Sequence, residues 1–382
     1  MPYSSAVLLA AVETRQDATI LSPSNAPIFI FVFTVCLTMG HSWQFALTAV
    51  FLEGLLFIIL TLTKVRSWIL NAIPLSLKHA IGAGIGLFIA FIGLQNAGII
   101  ANNDSTLVAL GDITHGAALL GLIGIVITGA LVILKVRGSI LIGILVTAIL
   151  GLFIKDPATG KALTQFTGVI SAPDSVAPIF CKFEWGSILS WDMLVVVFTF
   201  LFIDMFDTMG TVIGVSQKAG MVDEQGNVED IDKMFMADSI ATVCGACLGT
   251  STTTTYVESA SGVGDGGRTG LTAFTVAALF ALALLFSPIF LAIPGAATAP
   301  ALVIVGVMMM APVAKVDWED YSESIPAFIT VLMMPVAYSI SDGILLGVIS
   351  YVLLNACAGK FKKISPTMWV LAALFICKYI FI

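Results

Sequence analysis

Glu258 is the residue on which a chemical role for this chain can be built. It lies within Leu248–Gly270, LGTSTTTTYVESASGVGDGGRTG, a hydroxyl-rich and glycine-rich passage set between long apolar runs. A carboxylate inside membrane-spanning sequence costs about 2.5–3.5 kcal/mol on insertion scales, so it turns toward protein or a polar pathway and away from lipid. There it can accept hydrogen bonds from polar N–H groups and can bind and release a proton. A second acidic centre is FLFIDMFDTMGTVIG, in which Asp204 and Asp207 share one helix face with Thr208 and Thr211 near Asp207. Gly210 and Gly214, one turn apart, mark a closely packed face where buried polar groups find partners. Of the two aspartates, Asp207 is read as a site acid, and Asp204 as bonding backbone groups between helices. Asp238, just inside the following span, is read as an N-terminal helix residue favoured by the dipole. Glu53, a lone carboxylate in a span, leaves a packing or gating role and a site role open.

Other motif-like stretches carry no chemistry. Gly262, Gly264 and Gly267 spell GxGxxG, and Gly262–Thr269 approaches a phosphate loop with Arg268 in place of lysine. Both motifs need a strand before and a helix after them inside a soluble βαβ unit, and the flanks here are hydrophobic spans. Cys244 and Cys247 form a CxxC among helix-packing residues without redox or zinc context, and five of the six cysteines lie in apolar sequence. With no nucleophile beside a base and no metal-ligand cluster, an enzyme is not expected, and neither a cofactor nor a metal is implied.

The elements that must hold these residues are membrane spans. The chain has 382 residues, 58% hydrophobic and 11% charged, with a mean hydropathy of +1.04, which places it outside soluble composition. A net charge of −7 without a basic run excludes nucleic acid as a partner. Spans of sufficient length or apolarity are read at 43–63, 77–100, 116–134, 139–154, 192–215, 235–249, 270–293, 298–313, 325–340 and 342–358. Val65–Pro74 reads as an interfacial amphipathic piece with Trp68 at the headgroups, and 367–382 is too short for a confident span. Between the spans, Thr252–Thr255 are β-favouring and the glycines behind them weaken a continuous helix. The expectation is a short extended segment leading into a half-helix at 256–268. Non-helical backbone survives at membrane depth only where it is buried in protein or lines a cavity, and transporters hold substrate on such broken elements.

Short basic loops alternate with loops lacking lysine or arginine, which sets the topology. Lys64, Lys135, Lys218, Lys315 and Lys363 are expected on the cytoplasmic side, and the loops containing Asn103 and Asp174 on the other. Cysteine-accessibility labelling at positions 135 and 103 checks this: labelling from the same side would overturn the assignment.

Several motifs, in order along the chain, resemble those of one family. They are Phe206-Asp-Thr-Met-Gly-Thr211, Ala237-Asp-Ser-Ile240, Gly249-Thr-Ser-Thr-Thr-Thr-Thr-Tyr-Val-Glu-Ser259, Gly266-Gly-Arg-Thr-Gly270, Ala299-Pro-Ala-Leu302, Ile325-Pro-Ala-Phe328 and Met334-Pro-Val-Ala-Tyr-Ser339. Over roughly residues 40–360 the chain resembles the nucleobase–ascorbate transporters (nucleobase:cation symporter-2 superfamily), in their AzgA-like adenine/guanine/hypoxanthine permease branch. That resemblance implies an all-α polytopic membrane protein with a 7+7 inverted-repeat transporter fold of core and gate domains. It implies a secondary active transporter importing purine nucleobases (adenine, guanine, hypoxanthine and xanthine) by proton symport with alternating access. Carried over residue by residue, the substrate contacts are Asp207, Glu258, Tyr256 and Val257, with Thr255, Ser259 and Thr208 beside them and Phe31 stacking on the base. Glu258 is also the proton-coupling residue. The implied partners are a purine base, a proton as coupling ion, the lipid bilayer of a plasma or cell inner membrane, and a second copy in a homodimer.

The domain pattern that follows is a divergent N-terminal segment at 1–25, a remnant of the first core repeat at 26–63, the first gate repeat at 64–155 and an extracytoplasmic connection at 156–190. The second core repeat, with the substrate site, is 191–293, and the second gate repeat is 294–382. The family begins with two further spans and a glycine-rich stretch where this chain reads Ser22-Pro-Ser-Asn-Ala-Pro27, so the first two spans are expected to be missing. Two alternatives stand beside the permease: an anion exchanger of the same fold, which Asp207 and Glu258 would repel, and an inactive truncated permease.

Overall fold

The structure is a computed structural model and describes residues 30–381, apart from 158, 174 and 225. The expectations for residues 1–25, for Ser22–Pro27 and for Asp174 lie outside the described residues.

Without water in the hydrocarbon, backbone groups must pair within the segment, and the apolar runs accordingly form helices. A π-helical stretch Ile30–Thr38 is followed by α1 (Trp43–Leu62), α2 (Val65–Ala72) and α3 (Leu75–Asn96). A hairpin, β1 (Ile100–Asn103) with β2 (Leu107–Leu110), leads to α4 (Gly116–Ile133) and α5 (Ser139–Leu150). After the long connection come α6 (Trp191–Ala219), α7 (Ile231–Leu248), the short α8 (Ser259–Gly264), α9 (Gly270–Leu285), α10 (Ser287–Ala292) and α11 (Gly295–Met309). The chain ends in α12 (Tyr321–Val336), α13 (Ile340–Cys357) and α14 (Pro366–Phe381). Among the described residues, six helices are long and apolar enough to cross a membrane. Of the ten predicted spans, 43–63, 77–100, 116–134, 192–215, 298–313 and 342–358 fall on these six, the other four fall on α5, α7, α9 with α10, and α12, and residues 367–381 are helical as well.

The described residues divide into two compact units. One comprises Gly86–Asp174 and Glu258–Ala311. Within it, the outer part of α3 packs on α11 through facing glycines: a Cβ on Gly86 would stand 2.6 Å from the Gly306 carbonyl oxygen, and one on Gly306 would stand 2.3 Å from that of Gly86. No larger residue permits this backbone approach. The hairpin pairs Ile100 with Leu110 and Asn103 with Leu107. It occupies the loop that sequence places on the non-cytoplasmic side, and Asn103 Oδ1 closes its turn by accepting the Ser105 and Thr106 N–H groups.

The other unit comprises, among the described residues, 30–85, 175–257 and 312–381. At its centre α1 lies against α6 and α7. Phe45, Ala46, Ala49 and Val50 of α1 pack with Met193, Val196, Val197 and Phe200 of α6 and Ala246 of α7, and Phe31 lies partly buried against this cluster. The small residues permit the approach: a Cβ on Gly54 would meet Val243 at 2.7 Å. Elsewhere in this unit Asp320 caps α12 and accepts from Lys360 Nζ at 2.8 and 2.9 Å, while Lys363 reaches Glu323 at 2.9 Å. The Lys360 ammonium, with the Ser322 hydroxyl and N–H, holds the Asp320 carboxyl well below the usual range. A depressed carboxylate stabilises the fold above its unfolded-state value and loses that contribution as pH falls through the folded one.

Candidate functional site

Where α7 ends, Gly249 adopts φ +87°, a left-handed conformation that glycine takes without strain, and its N–H bonds the Ala246 carbonyl at 3.1 Å. Beyond it the backbone runs without helix to Tyr256. This is the extended segment that the threonine run predicts, and each threonine is fastened to a helix of the same unit. Thr252 donates to Glu53 Oε2 on α1 at 3.1 Å. The Thr253 carbonyl accepts from Thr242 Oγ1 on α7 at 3.0 Å. Thr254 and Thr208 of α6 share a hydroxyl hydrogen bond of 2.8 Å. Thr255 donates both its N–H (3.1 Å) and its hydroxyl (3.2 Å) to Asp238 Oδ1 on α7. The side-chain hydroxyls thus anchor an extended segment that makes no ladder with a second strand, the condition for such backbone at membrane depth.

Asp238 is the hub of this arrangement. Besides Thr255 it meets Thr208 Oγ1 at 3.4 Å and receives Arg66 Nη2 at 3.0 Å. Arg66 comes from α2, and its side chain is wholly buried. Its Nη1 donates to Ser239 Oγ at 3.0 Å and to the Phe235 carbonyl at 3.3 Å, and its guanidinium lies 4.3 Å from the ring centroids of both Phe57 and Phe235. A planar fork between two aromatic faces is an arrangement arginine satisfies and lysine does not.

This corrects one sequence expectation. Asp238 is not a helix N-terminal residue, because α7 begins at Ile231 and Asp238 lies beyond its first turn. Arg66 is a structural cation: α2 turns it inward while Trp68 stays exposed, as expected for an interfacial piece.

Asp204 also departs from expectation. It is fully buried, yet among the described residues neither carboxylate oxygen has a hydrogen-bond partner and no backbone group between helices bonds it. Thr254 approaches it without completing a bond. The N–H groups of the surrounding helices are already engaged in their own ladders, so none is free to turn toward it. Glu53 is equally buried, with Oε1 unpartnered. Asp207, one turn beyond Asp204, is half-buried and accepts the Ser341 N–H at 3.1 Å, near the N-terminus of α13, where a negative charge is favoured.

Thr208, Thr255, Tyr256 and Val257 belong to the unit that contains this network, as do Asp207 and Phe31. Glu258 and Ser259 begin the segment of the other unit. Glu258 is buried at the head of α8, and its carbonyl accepts the Ser261 N–H (2.9 Å) and hydroxyl (2.8 Å), whereas Ser259 is exposed. The helix Ser259–Gly264 is shorter than the span 256–268 suggests, because Gly266 at φ +107° turns the chain. Its end is closed by the Gly267 N–H on the Gly262 carbonyl (2.9 Å) and Arg268 Nη1 on that of Val263 (2.7 Å).

The described residues are mostly helical, interrupted by the threonine-pinned extended segment and the β1–β2 hairpin. The fold is similar to the transmembrane domain of a cyanobacterium bicarbonate transporter, BicA, with a TM-score of 0.55 and 16% identity over 85% of this chain and 82% of that one. This is the 7+7 inverted-repeat fold. The chain belongs to the Permease family (Xan_ur_permease), which matches residues 6–346. It is 47% identical to a putative permease of Methanocaldococcus jannaschii, over 89% of this chain and 77% of the relative. It is 45% identical to the guanine/hypoxanthine permease PbuG of Bacillus subtilis, over 89% of this chain and 76% of the relative. The adenine permease AdeQ of Escherichia coli is 41% identical, over 95% of this chain and 80% of the relative. The chain is a multi-pass membrane protein of a permease family and not an enzyme.

Proposed function

We propose that the protein is a secondary active importer of purine nucleobases, among them adenine, guanine and hypoxanthine, and that it works by proton symport with alternating access. The observation that carries this reading is its identity of 41% and 45% with adenine and guanine/hypoxanthine permeases over nearly the whole chain. The chemistry agrees: a purine offers ring and amino N–H donors beside acceptor nitrogens, a pattern that carboxylates and backbone N–H groups can read. In this proposal Asp207 and Glu258 read the base edge, Tyr256 and Val257 supply backbone groups, and Thr208, Thr255 and Ser259 flank them. Phe31 stacks on the base, and Glu258 carries the coupled proton. The core domain is then 26–63 with 191–293, and the gate domain 64–155 with 294–382.

The test is uptake of labelled adenine, guanine and hypoxanthine by cells lacking their own purine carriers. Uptake that collapses with a protonophore supports the reading. Uptake of bicarbonate or sulfate and of no purine would replace it with anion exchange.

Asp207→Asn separates site from scaffold. The amide keeps one oxygen for the Ser341 N–H but loses the charge, and a hydrogen bond to a charged group is worth about 1.5–3 kcal/mol. Purine affinity is expected to fall by roughly tenfold to a hundredfold with little change in protein abundance. Unchanged adenine and hypoxanthine affinities would leave Asp207 as an anchor of α13 only.

A further inference from the structure

Three buried carboxylates, Glu53, Asp204 and Asp238, come from α1, α6 and α7, and α1 packs against both of the others. The groups that act electrostatically on Glu53 are Asp204, Asp238 and Arg66, with Thr252 bonded to it. Those that act on Asp204 are Asp238, Arg66 and Asp207, with Thr254 beside it. Arg66 is therefore the cation that faces this group, and both of its terminal nitrogens are already engaged, by Asp238, Ser239 and the Phe235 carbonyl. Its charge balances Asp238. Among the described residues, Glu53 and Asp204 are left with no matching cation and with three unpartnered oxygens: Glu53 Oε1 and both oxygens of Asp204. An isolated ionised carboxylate in such surroundings is prohibitively costly, and two neighbouring ones repel as well.

Something positive must occupy this place. A hard metal ion would need about six oxygens, and no group of three or more ligand-type side chains able to hold a metal occurs among the described residues. A proton needs only one oxygen. We propose that Glu53 and Asp204 form a proton-binding site, distinct from Glu258, whose occupancy keeps the extended segment in place. Thr252 donates to the remaining oxygen of Glu53, so the charge state of this pair reaches the threonine run directly. A proton on the pair leaves the Thr252 bond in neutral surroundings. Its loss puts two unbalanced negative charges beside the segment that leads to Glu258. The effect on uptake rests on the purine-transport reading; the proton itself does not.

Infrared spectroscopy of the purified protein tests the proton directly, since an un-ionised carboxylic acid has a carbonyl stretch that an ionised carboxylate lacks. At neutral pH this band is expected in the parent protein and in Glu258→Gln, and lost in Glu53→Gln/Asp204→Asn, whose amides retain the volume and the acceptor for Thr252. In transport, parent uptake is expected to fall about tenfold per pH unit above the midpoint of the pair, as for a single required proton, and the double variant to lack that alkaline limb. If the double variant does not accumulate, Glu53→Gln alone is expected to shift the band, because an amide replaces the neighbouring acid. Absence of the band in the parent, its full persistence in the double variant, an unshifted band in Glu53→Gln, or parent uptake that requires sodium would each overturn the proposal. A parent protein that carries no purine at all would sink the transport reading, while the infrared result for the proton would stand.

Discussion

Replacing Glu258 by glutamine is expected to abolish the response of purine uptake to an imposed pH gradient while leaving part of the exchange activity. Glu258 is proposed both to bind the base and to carry the coupled proton. The amide can still hydrogen-bond, but it cannot titrate. One proton moving down a gradient of one pH unit supplies about 1.4 kcal/mol, which is a tenfold accumulation of substrate. In Glu258→Gln that accumulation should vanish, and labelled purine should only equilibrate across the membrane. Counterflow exchange needs binding and alternating access without net proton movement, so it should survive in part. The competing structural role predicts a different pattern. Glu258 is buried at the start of α8, and a glutamate serving only packing would, when replaced, lower protein abundance while the remaining transport kept its proton dependence. Reconstituted vesicles with a pH jump distinguish the two, and Glu258→Gln uptake that still follows the jump would remove Glu258 from the coupling step.

The helices were legible because lipid-facing and buried faces are both apolar, so runs such as Trp43–Leu62 and Ile340–Cys357 stand out whatever they pack against. The extended segment was legible for a different reason: Thr252–Thr255 are β-favouring and glycines follow them. What anchors that segment was not legible. Asp238 and Arg66 are 172 positions apart, and each has an ordinary local explanation, a carboxylate near a helix start and a basic residue at a membrane boundary. Only tertiary packing joins them. One signal was present in the sequence: Arg66 follows an apolar span and opens an amphipathic turn, so its side chain could point toward the protein as well as toward water. The burial of Asp204 without partners is likewise invisible to a helical wheel. The wheel puts Asp204 on a face with Asp207 but does not tell which carboxylate finds a donor. The structure gives the Ser341 N–H to Asp207 and none to Asp204.

Arg66→Met is expected to destabilise the fold more than any change at the proposed substrate contacts. It removes the cation from Asp238 and leaves a buried carboxylate that still holds Thr255, and breaking one partner of a buried pair costs about 3–5 kcal/mol. Methionine fills much of the space between Phe57 and Phe235, so the loss comes from charge and hydrogen bonds more than from packing. Arg66→Lys should recover little, because an ammonium cannot bond Asp238, Ser239 and the Phe235 carbonyl in one plane while stacking between two rings. The informative variant is Arg66→Met/Asp238→Asn. The asparagine oxygen can still accept from Thr255, while the uncompensated charge is gone, and replacing both members of a buried pair is often close to neutral. The double variant should therefore regain most of the stability lost in the single one, read as the melting temperature of the detergent-solubilised protein. A double variant no more stable than Arg66→Met would mean that Asp238 carries no unbalanced charge, and Arg66 would then hold α2 to α7 by stacking and its bonds to Ser239 and Phe235 alone.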